Sequence, residues 1–377
     1  MAAKPDTALK NISVSKFTNQ LFTFHKKEPV KTTHQIIFEN SNNMADILSG
    51  SVDLVVTSPP YPMIEMWDEM FSEQSPEISR ALKDKNGPLA FELMHKILDA
   101  TWSELWRVVK KGGIVCVNIG DATRTLNGNF ALYPNHSRIM SQMLKTGFAA
   151  LPGILWRKQT NAPNKFMGSG MLPPGAYVTL EHEFILIFRK GGRREFRKDD
   201  EKMNRRKSAF FWEERNAWFS DIWTDLRGTV QNLPDSKIRK RSAAFPFDVP
   251  YRLIQMFSVK GDTVSDPFLG TGTTLFAAMA VCRNFVGYEL EQGFRDLIFS
   301  GADHIVSYAN ERIAKRTENH LRFVKERTRE KGEFKHINRH YHFPVVTQQE
   351  KELLLNQLVS VEKIYENRME AAYSPTS

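Results

Sequence analysis

The sequence Thr-Ser-Pro-Pro-Tyr at residues 57–61 follows a predicted strand and carries groups that can bind and orient a ligand. Residues 52–56 form a short apolar, β-branched run, which is typical of a buried strand. Proline lacks an N–H donor and has a fixed φ angle, so the two prolines must end that strand. Ser58 and Tyr61 would then lie at a strand end, where open α/β sheets bind their ligands. On this motif alone, a ligand site and an ordinary proline-rich turn are nearly equal interpretations.

A second segment, residues 266–274 (Asp-Pro-Phe-Leu-Gly-Thr-Gly-Thr-Thr), lies between a predicted strand at 262–265 and a predicted helix at 275–281. Its glycines allow a tight turn and close approach of a ligand. The helix start offers free N–H groups and a positive dipole end suited to a carboxylate. The next predicted strand, 284–289, ends in Glu289, about 20 residues beyond the loop, a separation suited to binding ribose hydroxyls.

Three nucleotide ligands are compatible with a glycine loop of this kind. A dinucleotide fingerprint requires a third glycine where this chain has Leu275, and a Walker loop requires a lysine that is missing. An adenosine ligand that carries an amino-acid carboxylate needs neither feature, and S-adenosylmethionine is such a ligand. The strand–loop–helix–strand–Glu context disfavours a glycine turn without a ligand.

Predicted strands and helices alternate around both motifs. Further strands are predicted at 34–38, 114–119, 153–156 and 183–188, and helices at 44–48, 88–111, 137–145 and 249–257. This alternation predicts an α/β domain with a doubly wound parallel sheet. A Gly/Pro-rich loop at 161–175 is longer than a simple connection requires.

The composition is that of a globular protein with a basic surplus. The chain has 377 residues, 41% of them hydrophobic and 25% charged, which predicts one large α/β domain with an inserted or appended module. No apolar run approaches the roughly 18 residues that span a bilayer, and residues 1–6 lack the apolar core of a secretory signal. Cys116 and Cys282 cannot build a disulfide framework, so we expect a reducing, cytoplasmic location.

The positive charge is concentrated in one segment. The net charge is +9, and residues 189–241 contain 16 basic and 9 acidic side chains. Such a local field is expected where a segment faces phosphates. Phenylalanine and tryptophan are interleaved with the basic residues at 193–241, and we expect them to form the core of a small inserted module. Residues 303–377 are more mixed in charge and are predicted to form a helical tail. Its apolar stripe consists of Leu353, Leu354, Leu358, Val361 and Ile364.

Together the motifs resemble a known family. Residues 266–273 are similar to the cofactor motif of the exocyclic-amino DNA methyltransferases, and residues 57–61 are similar to their catalytic motif. The catalytic motif precedes the cofactor motif, with the basic segment between them, an order that resembles the circularly permuted β class. Residues 245–250 also resemble the element that precedes the cofactor loop in that family. The resemblance extends over residues 34–300.

The resemblance implies a Rossmann-like, doubly wound, S-adenosylmethionine-dependent methyltransferase fold that is circularly permuted. It implies five parts: an N-terminal arm (1–33), a catalytic half (34–192), a target-recognition insertion (193–243), a cofactor-binding half (244–302) and a helical C-terminal tail (303–377). The implied partner is double-stranded DNA, with no membrane. The chain is expected to be a monomer or weak dimer, and a cognate restriction endonuclease acting on the same site is a further implied partner.

The resemblance also assigns residues. The catalytic residues would be Ser58, Pro59, Pro60 and Tyr61. The cofactor-binding residues would be Asn40, Phe245, Asp266, Pro267, Phe268, Gly270, Thr271, Gly272, Thr273, Thr274 and Glu289. The DNA-binding residues would be Arg193, Arg194, Arg197, Arg205, Arg206, Lys207, Lys237, Arg239, Lys240 and Arg241. Asn40 departs from the family, which has an acid against the adenine, although an asparagine can hydrogen-bond an adenine edge.

The implied reaction is methylation of an exocyclic amine on a flipped base. Ser58 and the Pro59 carbonyl would accept hydrogen bonds from the amine, and Tyr61 would stack on the base. In this family Ser-Pro-Pro-Tyr is associated mostly with the N4 amine of cytosine, and N6-adenine methylation is the alternative. A catalytically inactive DNA-binding module is an alternative of another class. A protein-glutamine methyltransferase is disfavoured by the basic insertion and by the serine.

No metal is required by this chemistry. His336, His340 and His342 are close in sequence but have no nearby cysteine, and exposed histidines are the better interpretation.

Overall fold

The computed structural model describes residues 30–158, 167–228 and 245–374. The strands are β1 (Val30–Ile37), β2 (Val52–Thr57), β3 (Val109–Ile119), β4 (Ala122–Leu126), β5 (Asn129–Tyr133), β6 (Ala149–Arg157), β7 (Met167–Gly168), β8 (Ala176–Tyr177), β9 (His182–Arg189), β10 (Ile222–Trp223), β11 (Thr263–Asp266), β12 (Asn284–Tyr288), β13 (His336–Ile337), β14 (Pro344–Val345), β15 (Leu358–Tyr365) and β16 (Arg368–Tyr373). The α-helices are α1 (Asp68–Gln74), α2 (Pro76–Lys83), α3 (Gly87–Val108), α4 (Asn135–Thr146), α5 (Asp199–Lys207), α6 (Trp212–Trp218), α7 (Asp248–Phe257), α8 (Thr273–Ala280) and α9 (Arg295–Lys331).

Ten of these strands form one sheet in the order β10-β6-β9-β3-β2-β11-β12-β1-β16-β15. The centre, from β3 to β1, is parallel, as the alternation of strands and helices predicts. The sheet as a whole is mixed, because β9 runs antiparallel to both β3 and β6, and β16 runs antiparallel to β1 and β15. Antiparallel strands can be joined without a crossover helix. The alternation of strands and helices, which predicted a parallel sheet, therefore does not apply to these outer strands.

The catalytic strand β2 lies in the middle of the sheet with all six residues buried. Leu54 and Val56 pack into the apolar cluster on one face, and Val55 packs into the cluster on the other. Apolar side chains that alternate between two covered faces explain why its sequence is a continuous apolar run. The strand therefore holds the catalytic motif on a rigid, doubly packed support.

Two predicted helices differ in the structure. Residues 44–48 form turns, because Arg107 on α3 donates to the carbonyls of Met44 and Ile47 at 2.7 and 2.9 Å and replaces helical hydrogen bonds. The helix predicted at 88–111 ends at Val108, because the residues that follow pair with β2 as the start of β3.

The C-terminal tail, predicted to be helical, is α-helical only as far as Lys331, and a short 3-10 helix follows at Gln348–Glu352. β15 and β16 form a hairpin that extends the main sheet beyond β1. In β16, Met369, Ala371 and Tyr373 are buried and alternate with more exposed residues, a period of two typical of a strand. The apolar stripe at 353–364 also fits a helical period, although part of it lies in β15. β1 begins at Val30, so the last residues assigned to the N-terminal arm belong to the sheet.

The described part of the insertion, residues 193–228, has no separate apolar core. Phe211 stacks on His320 of α9 with ring centroids 4.0 Å apart, and it packs with Phe343, Val345 and Leu353 of the C-terminal segment, defined here as residues 332–374. Trp223 belongs to the core of the main sheet. Phe210 does contact Trp218 and Phe219 within the insertion. The expectation of a self-contained module is nevertheless wrong for these residues, since Phe211, Trp212 and Trp223 pack on distant parts of the chain.

In the described residues, no helix has the length and apolar character needed to cross a membrane.

Candidate active site

The catalytic motif and the cofactor loop lie side by side because their strands are neighbours. β2 and β11 pair in parallel, with Val55 opposite Ser265. Neighbouring parallel strands end at the same edge of a sheet, where α/β proteins bind ligands. Ser58 follows β2 and residues 267–272 follow β11, so both begin at this carboxyl edge. The opposite side of the sheet, where β2 and β11 begin, is the amino edge.

The Asp266 carboxylate joins the two motifs. Its oxygens accept hydrogen bonds at 2.6 Å from the hydroxyls of Thr57 and Thr274, and the N–H of Phe268 donates to it at 3.0 Å. Burial raises the pKa of Asp266 to about 6, although these hydrogen bonds favour the charged form. The carboxylate is enclosed by its own partners, so its role is to fix the catalytic strand against the cofactor loop.

Two glycines shape the loop. Gly270 and Gly272 have φ angles of 55° and 87°, a region that side chains with a Cβ rarely adopt. A Cβ on Gly272 would lie 3.2 Å from the ring of Phe276, whereas a Cβ on Gly270 would meet no atom within 4 Å. The lack of a Cβ at Gly272 therefore lets the ring of Phe276, in α8, lie close to the start of its own helix. Gly270 instead leaves its backbone open to the cavity.

Glu289 lies directly after β12, beside the loop. Its carboxylate accepts hydrogen bonds from the N–H of Gly270 at 2.6 Å and from the N–H of Glu291 at 2.8 Å. Its own N–H donates to the carbonyl of Ile37 at 2.9 Å, which fixes the residue against β1. The residue is 8% exposed, and burial raises the pKa of its carboxyl to about 7. The position is that expected for a group that binds ribose hydroxyls.

A cavity of about 330 Å³ lies between these elements. Its volume is in the range of small-molecule sites, about 300 to 1,000 Å³. The predicted residues that line it are Asn40, Ser58, Pro59, Pro60, Tyr61, Phe245, Asp266, Pro267, Phe268, Gly270, Thr273, Thr274 and Glu289. Thr271 and Gly272 shape the loop but do not line the cavity. The structure therefore brings both predicted motifs to one site.

The sequence analysis missed one wall of this cavity. It is contributed by the segment after β1, by α1 with its preceding turn, and by α3. The residues are Glu39, Trp67, Met70, Phe71, Gln74, Ile97 and Leu98. Asn40 is held by a hydrogen bond to Gln74 at 3.2 Å. An apolar wall, a buried carboxyl and an open glycine backbone are the groups that an adenosine with an amino-acid tail requires, so the residues present fit S-adenosylmethionine.

Tyr61 is held by a hydrogen-bonded network at the catalytic end of the cavity. Its hydroxyl lies 3.2 Å from the hydroxyl of Ser58, donates to Glu183 at 3.0 Å and accepts from the amide of Asn118 at 2.9 Å. Asn118 also donates to the same Glu183 oxygen at 2.7 Å, and the ammonium of Lys158 donates to the other oxygen at 3.0 Å. Burial, with the Glu183 carboxylate, holds the pKa of Tyr61 well above its ordinary value.

Sequence reasoning did not find Asn118, Lys158 or Glu183. The available signal was a polar residue within the apolar strand β3 and an acid near the start of β9. Neither pattern is specific, because β3 and β9 become neighbours only through the antiparallel pairing that the alternation did not predict. Gly120 lies beside the network, where a Cβ would approach the Tyr61 ring to 3.0 Å.

Arg194 was predicted to bind DNA, but the structure places it at the amino edge. Its guanidinium donates to Asp262 at 2.6 and 2.9 Å and lies 3.5 Å from the carboxylate of Asp53. Asp53 and Ser58 are five residues apart along β2, about 16 Å at roughly 3.3 Å per residue. The geometry therefore assigns Arg194 to two buried carboxylates on the side away from the catalytic motif.

The other predicted DNA-binding residues fall into two groups. Arg197 pairs with Glu195, Arg205 packs over Phe196, and Arg193, Arg206 and Lys207 lie in the same part of the insertion. Lys237, Arg239, Lys240 and Arg241 lie outside the described residues. Within the described residues, no group of three or more His, Cys, Asp or Glu could hold a metal ion.

A solved structure shares this fold. TTHA0409 of Thermus thermophilus, crystallised with S-adenosyl-L-methionine, superimposes with a TM-score of 0.56 at 28% identity, covering 73% of this chain and 93% of that one. The fold and the site together define a Rossmann-like methyltransferase.

Sequence comparison identifies the family. The DNA methylase family of N6- and N4-methyltransferases matches residues 52–300, and this chain belongs to it. M.MthZI, a type II methyltransferase of Methanothermobacter thermautotrophicus, is 50% identical over 345 residues, covering 91% of this chain and 96% of that protein. M.MjaI, a type II methyltransferase of Methanocaldococcus jannaschii, is 50% identical over 280 residues, covering 71% and 91%.

Three predictions are thereby confirmed: the exocyclic-amino methyltransferase family, the Rossmann-like methyltransferase fold and S-adenosylmethionine as the cofactor. The protein is an S-adenosylmethionine-dependent DNA methyltransferase.

Proposed function

We propose that the protein is a type II methyltransferase that modifies the N4 amine of a cytosine flipped out of duplex DNA. The observation that carries the proposal is that Ser58 lines the cavity, next to Pro59 and hydrogen-bonded to Tyr61. M.MthZI and M.MjaI, each 50% identical, are type II methyltransferases, which supports the type and a cognate endonuclease as partner.

In this proposal the residues of the motif orient the amine. S-adenosylmethionine supplies the methyl group as an electrophilic sulfonium substituent. The Ser58 hydroxyl and the Pro59 carbonyl accept the two amine hydrogens, which draws the nitrogen lone pair out of conjugation with the ring. The fixed φ angles of the two prolines hold both acceptors in place. Orientation of this kind accelerates a direct displacement without a covalent intermediate.

The base is held by aromatic stacking in the same proposal. Tyr61 lines the cavity, and its hydroxyl is fixed by three polar partners, so its ring has one orientation. A fixed ring loses little conformational freedom when a base stacks on it. The permuted order of the motifs and the domain boundaries belong to the proposal as well. Two boundaries are corrected: residues 30–33 belong to β1, and the C-terminal part is a helix followed by a β-hairpin.

The proposed DNA contact involves only part of the basic segment at residues 189–241. The backbone of Gly228 lies close to Lys158 at the carboxyl edge, and Phe245 lines the cavity. Gly228 and Phe245, the described residues on either side of residues 229–244, therefore lie at the catalytic side of the sheet. This supports a contact between DNA phosphates and the basic residues within that segment, Lys237, Arg239, Lys240 and Arg241, in preference to Arg194.

Methylation of a randomised duplex library tests the proposal. Sequencing that distinguishes N4-methylcytosine from N6-methyladenine should show methylcytosine at one position of one short sequence. Methyladenine at a fixed position would show that the target base is adenine and not cytosine. An unmodified library, with cofactor binding intact, would favour the inactive DNA-binding module.

A further inference from the structure

The hydrogen bonds around Tyr61 have a definite direction. A carboxylate has only acceptor atoms, so the Tyr61 hydroxyl must give its hydrogen to Glu183 across the 3.0 Å contact. The Asn118 amide nitrogen faces both this carboxylate and the phenol oxygen. If the amide were flipped, its oxygen would face the carboxylate, and two acceptors cannot form a hydrogen bond. Asn118 is therefore the donor to both groups.

This direction determines what Ser58 can do. Because the Tyr61 hydrogen is used by Glu183, Tyr61 can only accept in its 3.2 Å contact with Ser58. Ser58 therefore donates its hydrogen to Tyr61 and keeps its lone pairs for another donor. An amine that enters the cavity meets an acceptor rather than a competing O–H donor. Without Glu183, the Tyr61 hydroxyl is free to rotate and to donate to Ser58.

The same atoms form a continuous path from the cavity to the surface. Glu183 has one oxygen on Tyr61 and the other on Lys158, at 3.0 Å each. The side chain of Glu183 is 13% exposed, whereas that of Lys158 is 47% exposed. The path thus begins at a catalytic hydroxyl inside the cavity and ends at a half-exposed cation.

Methylation of an amine creates a need for such a path. When the nitrogen gains a methyl group it becomes positively charged and must lose one of its hydrogens as a proton. A serine hydroxyl cannot keep that proton, because an alcohol is a very weak base. The proton must pass to a stronger acceptor, and the carboxylate within two hydrogen bonds of Ser58 is Glu183.

We propose that Glu183 is a positioning residue for methyl transfer that also receives the proton released by the methylated amine, through Ser58 and Tyr61. This inference rests on the proposed function.

The transfer is balanced. The amine N–H bond breaks and its proton binds Ser58 Oγ, as the hydrogen of Ser58 passes to the oxygen of Tyr61. The hydrogen of Tyr61 passes in turn to Oε2 of Glu183. The nitrogen becomes neutral, Ser58 and Tyr61 regain their hydroxyl forms, and Glu183 becomes a carboxylic acid. It then returns the proton to water at the surface beside Lys158.

The test measures single-turnover methyl transfer with the full chain, S-adenosylmethionine and a methylatable duplex. Glu183→Gln should lower the rate by about 10²-fold or more, the usual contribution of a proton acceptor. Its Kd for S-adenosylmethionine and for DNA should change by less than about threefold, since neither ligand is held by Glu183 itself. Glu181→Gln is the matched control. Glu181 lies two residues away, is half-exposed and pairs with Arg157, so its variant should react at the wild-type rate.

Chemical rescue separates proton acceptance from a purely structural role. Formate added to Glu183→Ala should raise the rate with increasing concentration, because it supplies a carboxylate in the vacated space. Formate should not rescue the double variant Tyr61→Phe, Glu183→Ala, which lacks the intermediate hydroxyl.

Each outcome decides between the two hypotheses. A wild-type rate for Glu183→Gln, or an absence of formate rescue in Glu183→Ala, would overturn the role of Glu183 and leave the methyltransferase intact. Equal losses of rate and of ligand binding would also overturn it, because they would indicate a structural residue. If the wild-type protein methylates no DNA, the proposed function itself fails.

Discussion

The carboxyl edge of the sheet and the layer formed by the insertion and the C-terminal segment are built from different contacts. At the carboxyl edge, Asp266 joins two neighbouring strands through hydroxyls only a few residues from each strand end. In the other layer, Glu214 pairs with Arg316 at 2.6 Å and Glu213 with His320 at 2.7 Å, over more than 100 residues of sequence. Both sets of contacts are distant in sequence, since Thr57 and Asp266 are 209 residues apart. The first contacts follow from the pairing of β2 with β11, and the second from packing between segments that do not pair as strands.

Charged residues have different roles in the two regions. A basic residue in the insertion is as easily a partner for a buried acid as a contact for a phosphate, and Arg194 is such a partner. At the carboxyl edge, the Asp266 and Glu289 carboxylates are buried and hydrogen-bonded by neighbouring hydroxyl and backbone N–H groups. The predictions that follow test this division, from the largest expected effect to the smallest.

Ser58→Ala should reduce single-turnover methylation by about 10³-fold, because it removes an acceptor that orients the amine. Cofactor binding should be nearly unchanged, since Asp266 and Glu289, which shape the cofactor loop, are retained. Turnover and cofactor titration by calorimetry measure the two effects separately. An equal loss of both would place Ser58 in cofactor binding and remove it from catalysis.

Phe343→Ala should lower the free energy of unfolding by about 3 to 5 kcal/mol, the usual cost of a large cavity in a core. Phe343 is 1% exposed and packs on Phe211 and His320, so the insertion and α9 both lose a contact with the C-terminal segment. Urea denaturation measures the change, and Tyr365→Ala, at a residue 70% exposed, is the control. Equal stability of the two variants would show that the insertion does not depend on the C-terminal segment.

Glu289 should make stability dependent on pH. Its pKa is raised by burial from 4.5 to about 7 in the folded protein. The carboxyl therefore contributes fully below pH 4.5, and that contribution is lost as the pH rises through 7. Relative to Glu289→Gln, the ligand-free wild type should lose about 3 kcal/mol over that interval.

Chemical denaturation across this pH range measures the difference. A difference between wild type and Glu289→Gln that does not change with pH would contradict the burial of this carboxyl.

Arg194→Ala should cost about 2 kcal/mol of stability, because the buried Asp262 carboxylate loses its two charged hydrogen bonds, whereas Asp53 keeps Lys110 at 2.7 Å. The dependence of DNA binding on salt should stay the same, since no phosphate contact is lost. Arg193→Ala, at the exposed neighbour, should change stability by less than about 0.5 kcal/mol. If Arg194→Ala instead lowers the salt slope by about 0.9 at unchanged stability, Arg194 contacts a phosphate.

The sequence predicts the carboxyl edge well because its signals are local. The proline pair after β2, the glycines after β11 and Glu289 after β12 each mark a strand end, and parallel pairing brings those ends together. The network of Tyr61 was not predictable in this way. Glu183 reaches Tyr61 only because β9 inserts antiparallel beside β3, and no local period encodes that pairing.

The insertion and the C-terminal segment were harder to predict for the same physical reason. The strand period of Met369, Ala371 and Tyr373 was present in the sequence, but the charged helical pattern earlier in the tail favoured a helical interpretation. The aromatics of the insertion gave no indication that their partners lie on α9 and in the C-terminal segment, over 100 residues away.

The central claim is that Ser58 orients the amine of a cytosine for methylation. The most direct test incubates duplex DNA with S-adenosylmethionine carrying an isotopically labelled methyl group, digests the product and identifies labelled nucleosides by mass spectrometry. We expect labelled N4-methylcytosine with the wild-type protein and at least about 10²-fold less with Ser58→Ala. Label in N6-methyladenine alone, or undiminished methylcytosine in the variant, would contradict the account.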